Sequence, residues 1–426
     1  MIKKRGMLIL NAAIALTTVT ALTFASFADA SSTERHEKKS RSHHHGMAKN
    51  VILFVGDGMG PGHRNAIRLA AAGADGELAM NDMPYSGMVH TSSTSLVTDS
   101  AAAATAMAAG IKTYNGAISV DPDKQPVKTV LELAEKAGKA TGVVTTSQVT
   151  DATPAAFGAH VADRSSQSDI AKQYLENSDI DVILGGGEDY WYPKGSAGKY
   201  PDHPAKDPEE ESKGTEGNLV KKARKLGYNY VTNQKELEKA KGDKLLGLFA
   251  NEEMFEQRPE GEGDLYKPVV PLPEMTKKAI DTLSRNNKGF FLMVEEEGID
   301  EMSHENNAKQ MIKAGKQLDK SVEVAKKFAK KHPDTLVLVT ADHGCGGISI
   351  EDVSNKDESG EGISKEDGPI KAAHLDQQFT IDWTTSGHSA VDVPLTAMGP
   401  GAQLFAGVYE NTHIHDALIK AMRLKQ

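Results

Sequence analysis

Short apolar runs that end at polar or glycine residues recur along the chain, and this pattern constrains the fold most. The clearest run is VILFV at 51–55, which is followed by Gly56-Asp57-Gly58. Continuous apolar runs of this length are typical of strands that are buried on both faces, as in parallel sheets. Five similar runs follow at 142–145, 182–184, 245–249, 290–294 and 336–339.

Between these runs lie stretches in which apolar residues recur at helical spacing, and 305–331 is the clearest of them. Met311, Leu318 and Val322 fall on one face, and lysines crowd the last turn. Strands that alternate with helices predict an α/β fold with a central, mainly parallel sheet flanked by helices. Ligands of such sheets bind beyond the carboxyl ends of the strands.

The chain has 426 residues, of which 39% are hydrophobic, and can therefore bury the core of one large domain. A basic start, an apolar stretch and the motif Ala28-Asp29-Ala30 predict a signal peptide at 1–30, cleaved near Ala30. We expect the remaining organisation to be a polar tether at 31–47, a catalytic α/β domain at 48–426, a polar insertion at about 188–275 and a surface loop at about 351–373.

The predicted signal peptide indicates a secreted or periplasmic protein. Polar residues such as Asn11 dilute its apolar stretch, so we expect no retained membrane anchor. The net charge of −10 at pH 7 argues against nucleic acid as a partner. The single cysteine, Cys345, has no partner for an internal disulfide; we interpret it as a small buried residue and assign it no chemistry.

Acidic and imidazole side chains follow several predicted strands. Asp342-His343 comes after the run at 336–339 and precedes glycines that let the backbone turn around an ion. Asp300 and His304 are four residues apart and would share one face of a helical turn. Each histidine alone is more often a surface residue, but clustered buried carboxylates would repel one another unless a cation bound there. The further candidates after strands or on glycine turns are Asp57, Glu295 and His388.

Ser100 lies between Asp99 and the alanine-rich run 101–104, where it would open a helix. Backbone amides and the helix dipole at such an N-terminus favour an ionised hydroxyl and a bound phosphate, which makes Ser100 a candidate nucleophile. Serine is also a common N-cap, and an alanine-rich helix can serve close packing alone. The local pattern leaves both interpretations open.

The segment Asp151-Ala152-Thr153-Pro154 follows another predicted strand. A hard cation would accept the Thr153 hydroxyl, with Asp151 ordering a water beside it, whereas the alternative is a turn restricted by Pro154. Arg164 carries a planar fork that matches two phosphate oxygens, although a lone arginine is more often a surface charge.

Six segments, in this order, resemble those of the alkaline phosphatase family. They are 55–60 (VGDGMG), 97–102 (VTDSAA), 151–154 (DATP) with Arg164, 294–295 (VE) with Asp300 and His304, 340–343 (TADH) and 387–388 (GH). The resemblance implies hydrolysis of small phosphate monoesters to alcohol and inorganic phosphate through a phosphoserine at Ser100. It also implies two Zn²⁺ and one Mg²⁺ as cofactors, and a homodimer.

The same resemblance implies a role for each candidate residue. One zinc would be held by Asp300, His304 and His388, and the second, which also meets Ser100, by Asp57, Asp342 and His343. Magnesium would be held by Asp57, Thr153 and Glu295, with Asp151 behind them. Arg164 would clamp the phosphoryl oxygens.

Glu301 departs from the family pattern, because many relatives carry Lys, His or Trp there, near the phosphate. A phosphodiesterase of the same superfamily is the main alternative. A sulfatase is disfavoured because alanines, not x-Pro-x-Arg, follow Ser100. A secreted metal- or phosphate-binding protein would need the ligands but no nucleophile, and Ser100 beside Asp99 argues against it.

Overall fold

The computed structural model describes residues 47–201, 211–255, 265–353 and 365–425. The predicted signal peptide at 1–30 and nearly all of the predicted tether at 31–47 lie outside these residues. Among the described helices, none combines the length and the apolar character needed to cross a membrane.

The described elements alternate between strands and helices along most of the chain. The strands are β1 (Asn50–Gly56), β2 (Tyr85–His90), β3 (Ala140–Gln148), β4 (Val182–Gly186), β5 (Asn229–Val231), β6 (Leu245–Leu248), β7 (Phe290–Glu296), β8 (Thr335–Thr340), β9 (Gly344–Cys345), β10 (Ile348–Asp352), β11 (Lys365–Lys371), β12 (Gln378–Trp383), β13 (His388–Ser389), β14 (Val393–Met398) and β15 (Gly407–Glu410). The helices are α1 (Pro61–Ala72), α2 (Ser100–Ala109), α3 (Val130–Lys136), α4 (Ala152–Gly158), α5 (Gln167–Glu176), α6 (Leu219–Lys225), α7 (Gln234–Lys239), α8 (Leu272–Leu283), α9 (Gly298–His304), α10 (Ala308–Lys331) and α11 (Thr412–Met422).

The main sheet, as far as the structure describes it, has ten strands in the order β15-β2-β14-β8-β1-β7-β3-β4-β6-β5. The seven strands from β8 to β5 run parallel, whereas β14 is antiparallel to both β8 and β2. Strands β1, β3, β7 and β8 are buried along their whole length, as their apolar runs predict. The prediction of an α/β fold with a mainly parallel sheet is confirmed.

Two segments treated as loop or insertion contribute strands. Of the stretch at 351–373, predicted as a surface loop, the described ends belong to β10 and β11, which pair with β12 in a small antiparallel sheet. Cross-strand contact between Ile350 and Ile381 explains why the residues beside that polar stretch are held in a sheet. Within 188–275, β5 and β6 extend the end of the main sheet beyond β4.

The carboxyl ends of four neighbouring strands, β8, β1, β7 and β3, meet at one edge of the sheet. Asp57 follows β1 directly, Glu295 is the second-last residue of β7, and Asp342 follows β8 after one residue. The chain after β3 leads through Asp151, the N-cap residue of α4. Parallel pairing therefore places acidic side chains from distant parts of the chain at the same edge.

We predict that Leu53→Ala lowers the free energy of unfolding by about 2–5 kcal/mol, because this side chain is fully buried on the central strand β1. Leu96→Ala is the matched control, since Leu96 is 87% exposed, and should change stability by less than about 0.5 kcal/mol. Denaturant unfolding of both variants at equal metal content measures the difference. Equal losses in the two variants would contradict the central place of β1.

Candidate active site and metal centre

One group of donor atoms surrounds the Nε2 atom of His343. This atom lies 3.4 Å from Asp57 Oδ1, 3.2 Å from Asp342 Oδ2 and 3.1 Å from the hydroxyl oxygen of Ser100. The other oxygen of Asp342 accepts hydrogen bonds from the backbone N–H groups of Gly58 and His343, which fixes the carboxylate. Asp57, Asp342 and His343 are buried, so their donor atoms converge away from solvent.

The spacing of these donors fits a cation. Ligand atoms at the corners of a tetrahedron around Zn²⁺ would be separated by about 3.3–3.6 Å, given metal–ligand bonds of about 2.0–2.2 Å. Asp57 Oδ1 and Asp342 Oδ2 are buried and accept no hydrogen bond. Two such oxygens in a dry site are costly unless a proton or a cation compensates them, and the donor set of two carboxylates and one imidazole is one that zinc accepts.

A second group lies beside the first. His304 Nε2 is 2.9 Å from Asp300 Oδ2 and 3.2 Å from His388 Nε2, and the latter is 3.6 Å from the same oxygen of Asp300. The opposite ring nitrogens are anchored, since Nδ1 of His304 contacts the carbonyl oxygen of Ser386 at 2.6 Å and Nδ1 of His388 that of Thr98 at 3.0 Å. Both Nε2 atoms are thereby oriented toward Asp300, an arrangement typical of metal-binding histidines.

His343 connects the two groups. Its ring stacks on that of His388 with a centroid distance of 3.7 Å, and its Nδ1 atom is 3.9 Å from Asp300 Oδ1. Asp300 Oδ1 is buried without a hydrogen-bond partner. The six residues form two adjoining sets, Asp57-Asp342-His343 and Asp300-His304-His388, each with donors close enough to hold one cation.

The charges of the two sets differ. Burial raises the pKa of Asp57 well above its ordinary value, and the neighbouring carboxylate of Asp342 raises it further. Burial also opposes ionisation of Asp300, but its hydrogen bonds with His304 and His388 outweigh burial and hold its pKa well below the ordinary value. The hydrogen bond with Asp300 raises the pKa of His304 to about 9. Ionisation is therefore disfavoured at Asp57 and is compensated by imidazoles at Asp300.

Glu295, whose charge acts on Asp57, forms a further group of oxygen donors with Thr153. Burial raises the pKa of Glu295 to about 8, although a 2.5 Å hydrogen bond from Thr145 opposes the rise. The Thr153 hydroxyl adjoins Glu295, and Thr153 Oγ1 and Glu295 Oε1 both lack a hydrogen bond of good geometry. These hard oxygen donors suit Mg²⁺.

Ser100 is the first residue of α2, as its sequence context predicts. Asp99 is the N-cap and accepts a hydrogen bond of 3.0 Å from the amide of Ala102. The helix is buried throughout and has almost only small side chains, so its N-terminus can approach the sheet edge closely. Its dipole and free amides favour negative charge at the Ser100 hydroxyl.

Arg164 is held in place by two carboxylates. Its Nη2 atom donates to Asp151 Oδ1 at 2.7 Å, and Nη1 lies 3.7 Å from Asp99 Oδ2. The charge of Asp151 is the main cause that raises the pKa of Arg164, so the guanidinium remains charged. Asp99 also accepts the amide of Gly116 at 2.8 Å.

The sequence analysis assigned no specific role to two residues of this region, Asp99 and Cys345. Asp99 precedes Ser100 directly, and an N-cap is readable from that order, but its approach to Arg164 exists only in the folded chain. Cys345 lies with Asp300, His304 and His388, and the donor atoms of all four are within 4.8 Å of one another. Its position two residues after His343 is the one feature of the sequence that could have pointed to the site.

Glu301, which departs from the family pattern, is exposed on α9.

Comparison with known proteins supplies independent information. A sequence profile described as alkaline phosphatase matches residues 48–366 and 351–424. Alkaline phosphatase 3 of Bacillus subtilis (strain 168) is 32% identical over 95% of this chain and 96% of its own. Streptomycin-6-phosphate phosphatase of Streptomyces griseus is 34% identical over 89% of this chain and 91% of its own.

A solved structure of an alkaline phosphatase is also similar to this chain. The structure of a variant alkaline phosphatase of the Antarctic bacterium TAB5, described with Mg bound in its M3 site, has a TM-score of 0.71 and 32% identity. The match covers 89% of this chain and 99% of that one.

We predict that Gly58→Ala weakens zinc binding at least about tenfold, comparable to the loss of an outer-shell partner of a metal ligand. Gly58 has a φ of +64°, and a Cβ atom there would lie 2.3 Å from Asp300 Oδ1 and so displace this carboxylate. Titration of zinc into chelator-treated protein measures the affinity.

Gly195→Ala is the matched control. This glycine has a φ of +77°, but a Cβ atom there would meet no heavy atom within 4 Å. The control shares the backbone strain, roughly 1–2 kcal/mol, without the contact with Asp300. If both variants bound zinc as the parent does, Asp300 would not be a ligand in the position described.

Proposed function

The chain belongs to the alkaline phosphatase family and is a phosphoric monoester hydrolase, and we propose that it acts through a phosphoserine at Ser100 with bound zinc and magnesium. One observation carries this proposal. Ser100 is the first residue of a buried helix, and its hydroxyl oxygen lies 3.1 Å from His343 Nε2. Asp57 and Asp342 converge around the same nitrogen atom.

We propose that two Zn²⁺ and one Mg²⁺ are held by the residues whose donor atoms converge at this edge of the sheet. Asp300, His304 and His388 would hold one zinc, and Asp57, Asp342 and His343 the other. Asp57, Glu295 and Thr153 would hold magnesium, with Asp151 behind them. When bound, these cations stabilise an ionised Ser100 hydroxyl and the negative charge of the phosphoryl group.

Ser100 is the nucleophile of this mechanism. Its oxygen attacks phosphorus, the bond between phosphorus and the ester oxygen breaks, and the alcohol leaves. Water then attacks the phosphoserine and releases inorganic phosphate, which regenerates the hydroxyl. The N-terminus of α2 supports both halves of the cycle, because its amides and dipole favour negative charge at Ser100.

Arg164 positions and stabilises the transferred group. Its guanidinium can direct two N–H groups toward phosphoryl oxygens. Asp151 and Asp99 fix the arginine before substrate arrives, so less conformational entropy is lost on binding. Most of the catalysis is expected from such preorganised charge rather than from covalent chemistry by the protein.

The substrates we propose are small phosphate monoesters. A relative that covers nearly the same length is named as a phosphatase of streptomycin 6-phosphate, itself a phosphate monoester. We also propose that the enzyme is secreted or periplasmic, as the pattern at 1–30 predicts, without a retained membrane anchor, and that it forms a homodimer.

We predict that Ser100→Ala lowers kcat for p-nitrophenyl phosphate at least about 10³-fold, because it removes the nucleophile. Ser284→Ala, at an exposed position after α8, should leave kcat unchanged. Acid-quenched parent enzyme should carry labelled phosphate on Ser100, and the Ser100 variant none. Full activity of Ser100→Ala would refute the covalent step, and faster hydrolysis of the bis(p-nitrophenyl) ester would favour the phosphodiesterase alternative.

We predict that Arg164→Ala weakens competitive inhibition by inorganic phosphate about 10- to 100-fold, since a charged hydrogen bond contributes about 1.5–3 kcal/mol. Arg164→Lys should restore only part of the affinity, because lysine keeps the charge but lacks the planar fork. Arg285→Ala is the control, as Arg285 pairs with Asp243 in an exposed ion pair. An unchanged inhibition constant in Arg164→Ala would exclude its contact with phosphate.

A further inference from the structure

Cys345 lies inside the second group of donors because of a short antiparallel pairing. Strand β9 pairs with β13 so that Cys345 stands directly opposite His388. Residues opposite each other in an antiparallel pair have neighbouring side chains on the same face. The amide of Cys345 also donates to the carbonyl oxygen of Gly58 at 3.1 Å, which holds β9 against the turn after β1.

The sulfur atom of Cys345 is surrounded by side chains of the types that bind metal ions. Its distance to each donor atom of Asp300, His304 and His388 is within 4.8 Å. Cys345 is fully buried and its thiol adjoins the carboxylate of Asp300, whose Oδ1 atom is buried and lacks a hydrogen bond of good geometry. A cysteine that serves only packing needs no such neighbours, whereas one sulfur, two imidazoles and one carboxylate form a donor set that zinc binds.

We propose that Cys345 is a fourth protein ligand of the cation held by Asp300, His304 and His388, bound through its thiolate sulfur. This inference rests on the metal centre proposed above and extends it to a residue outside the family's implied ligand set. The metal–sulfur bond forms as the S–H bond is broken, and the proton passes to solvent. No change of oxidation state is involved.

The proposed sulfur has a consequence for the choice of metal. Thiolate is a soft ligand that favours zinc and cobalt over magnesium, whereas the neighbouring group around Asp57 and Glu295 is rich in hard oxygen donors. The two ends of the site would then select different cations by ligand chemistry. Four protein donors still permit substrate binding, because catalytic zinc can expand to five ligands.

The test uses the full-length chain, depleted of metal and reconstituted with Co²⁺. A sulfur-to-cobalt charge-transfer band in the near ultraviolet reports a thiolate ligand directly and does not depend on activity. Because the sequence contains one cysteine, such a band can come from Cys345 alone. We expect the band in the parent protein, its loss in Cys345→Ser, and at least about tenfold weaker zinc binding in that variant.

Met302→Leu is the matched control. Met302 is another fully buried sulfur-containing residue, on α9 close in sequence to Asp300 and His304, and its replacement should leave the band intact. Cys345→Ala provides a second variant, and circular dichroism of each variant checks folding. The spectrum of the cobalt-loaded parent protein tests for the thiolate ligand even if a variant fails to fold.

Two outcomes overturn the proposal. One is a cobalt-loaded parent protein without the band, which would leave the thiol as a packing residue or a hydrogen-bond donor to Asp300. The other is a band that persists in Cys345→Ser. Failure of the proposed function is distinguishable, since an enzyme without phosphate on Ser100 could still show the sulfur band.

Discussion

Mutual repulsion among buried carboxylates is the constraint on which this site depends. Asp57, Asp342, Asp300 and Glu295 are gathered at one sheet edge, where desolvation penalises each negative charge. Burial raises the pKa of Asp57 and Glu295, whereas Asp300 is paired with two imidazoles. A bound cation would offset the same negative charge, so metal affinity would depend on pH and metal binding would contribute to folding stability.

The sequence predicted those parts of the fold that depend on local pattern. Strands β1, β7 and β8 follow from continuous apolar runs, and their parallel pairing is what gathers Asp57, Glu295 and Asp342. Strands β2, β14 and β15, at one end of the sheet, were harder to recognise, because they are only partly buried and β14 contains Pro394. The apolar pattern that marks a central strand is weak in such segments.

The candidate site likewise contains residues that the sequence predicts and residues that only the folded chain brings together. Asp342 and His343 are readable because they follow a strand directly, and Ser100 because Asp99 precedes a helix-forming run. The ladder between β9 and β13 is two residues long, too short for any periodic signal, yet it alone brings Cys345 opposite His388. The anchoring of Arg164 by Asp151 and Asp99 likewise requires the tertiary structure, since three separate segments meet there.

The donor residues are spread from Asp57, just after the first described strand, to His388, near the end of the chain. A polypeptide interrupted before His388 would lack β14 and β15 as well as one member of the second group of donors. The second group of donors is therefore complete only once β13 has paired with β9. A cation held by these residues would act as a cross-link that closes a long loop of the chain and so lowers the entropy of the unfolded state.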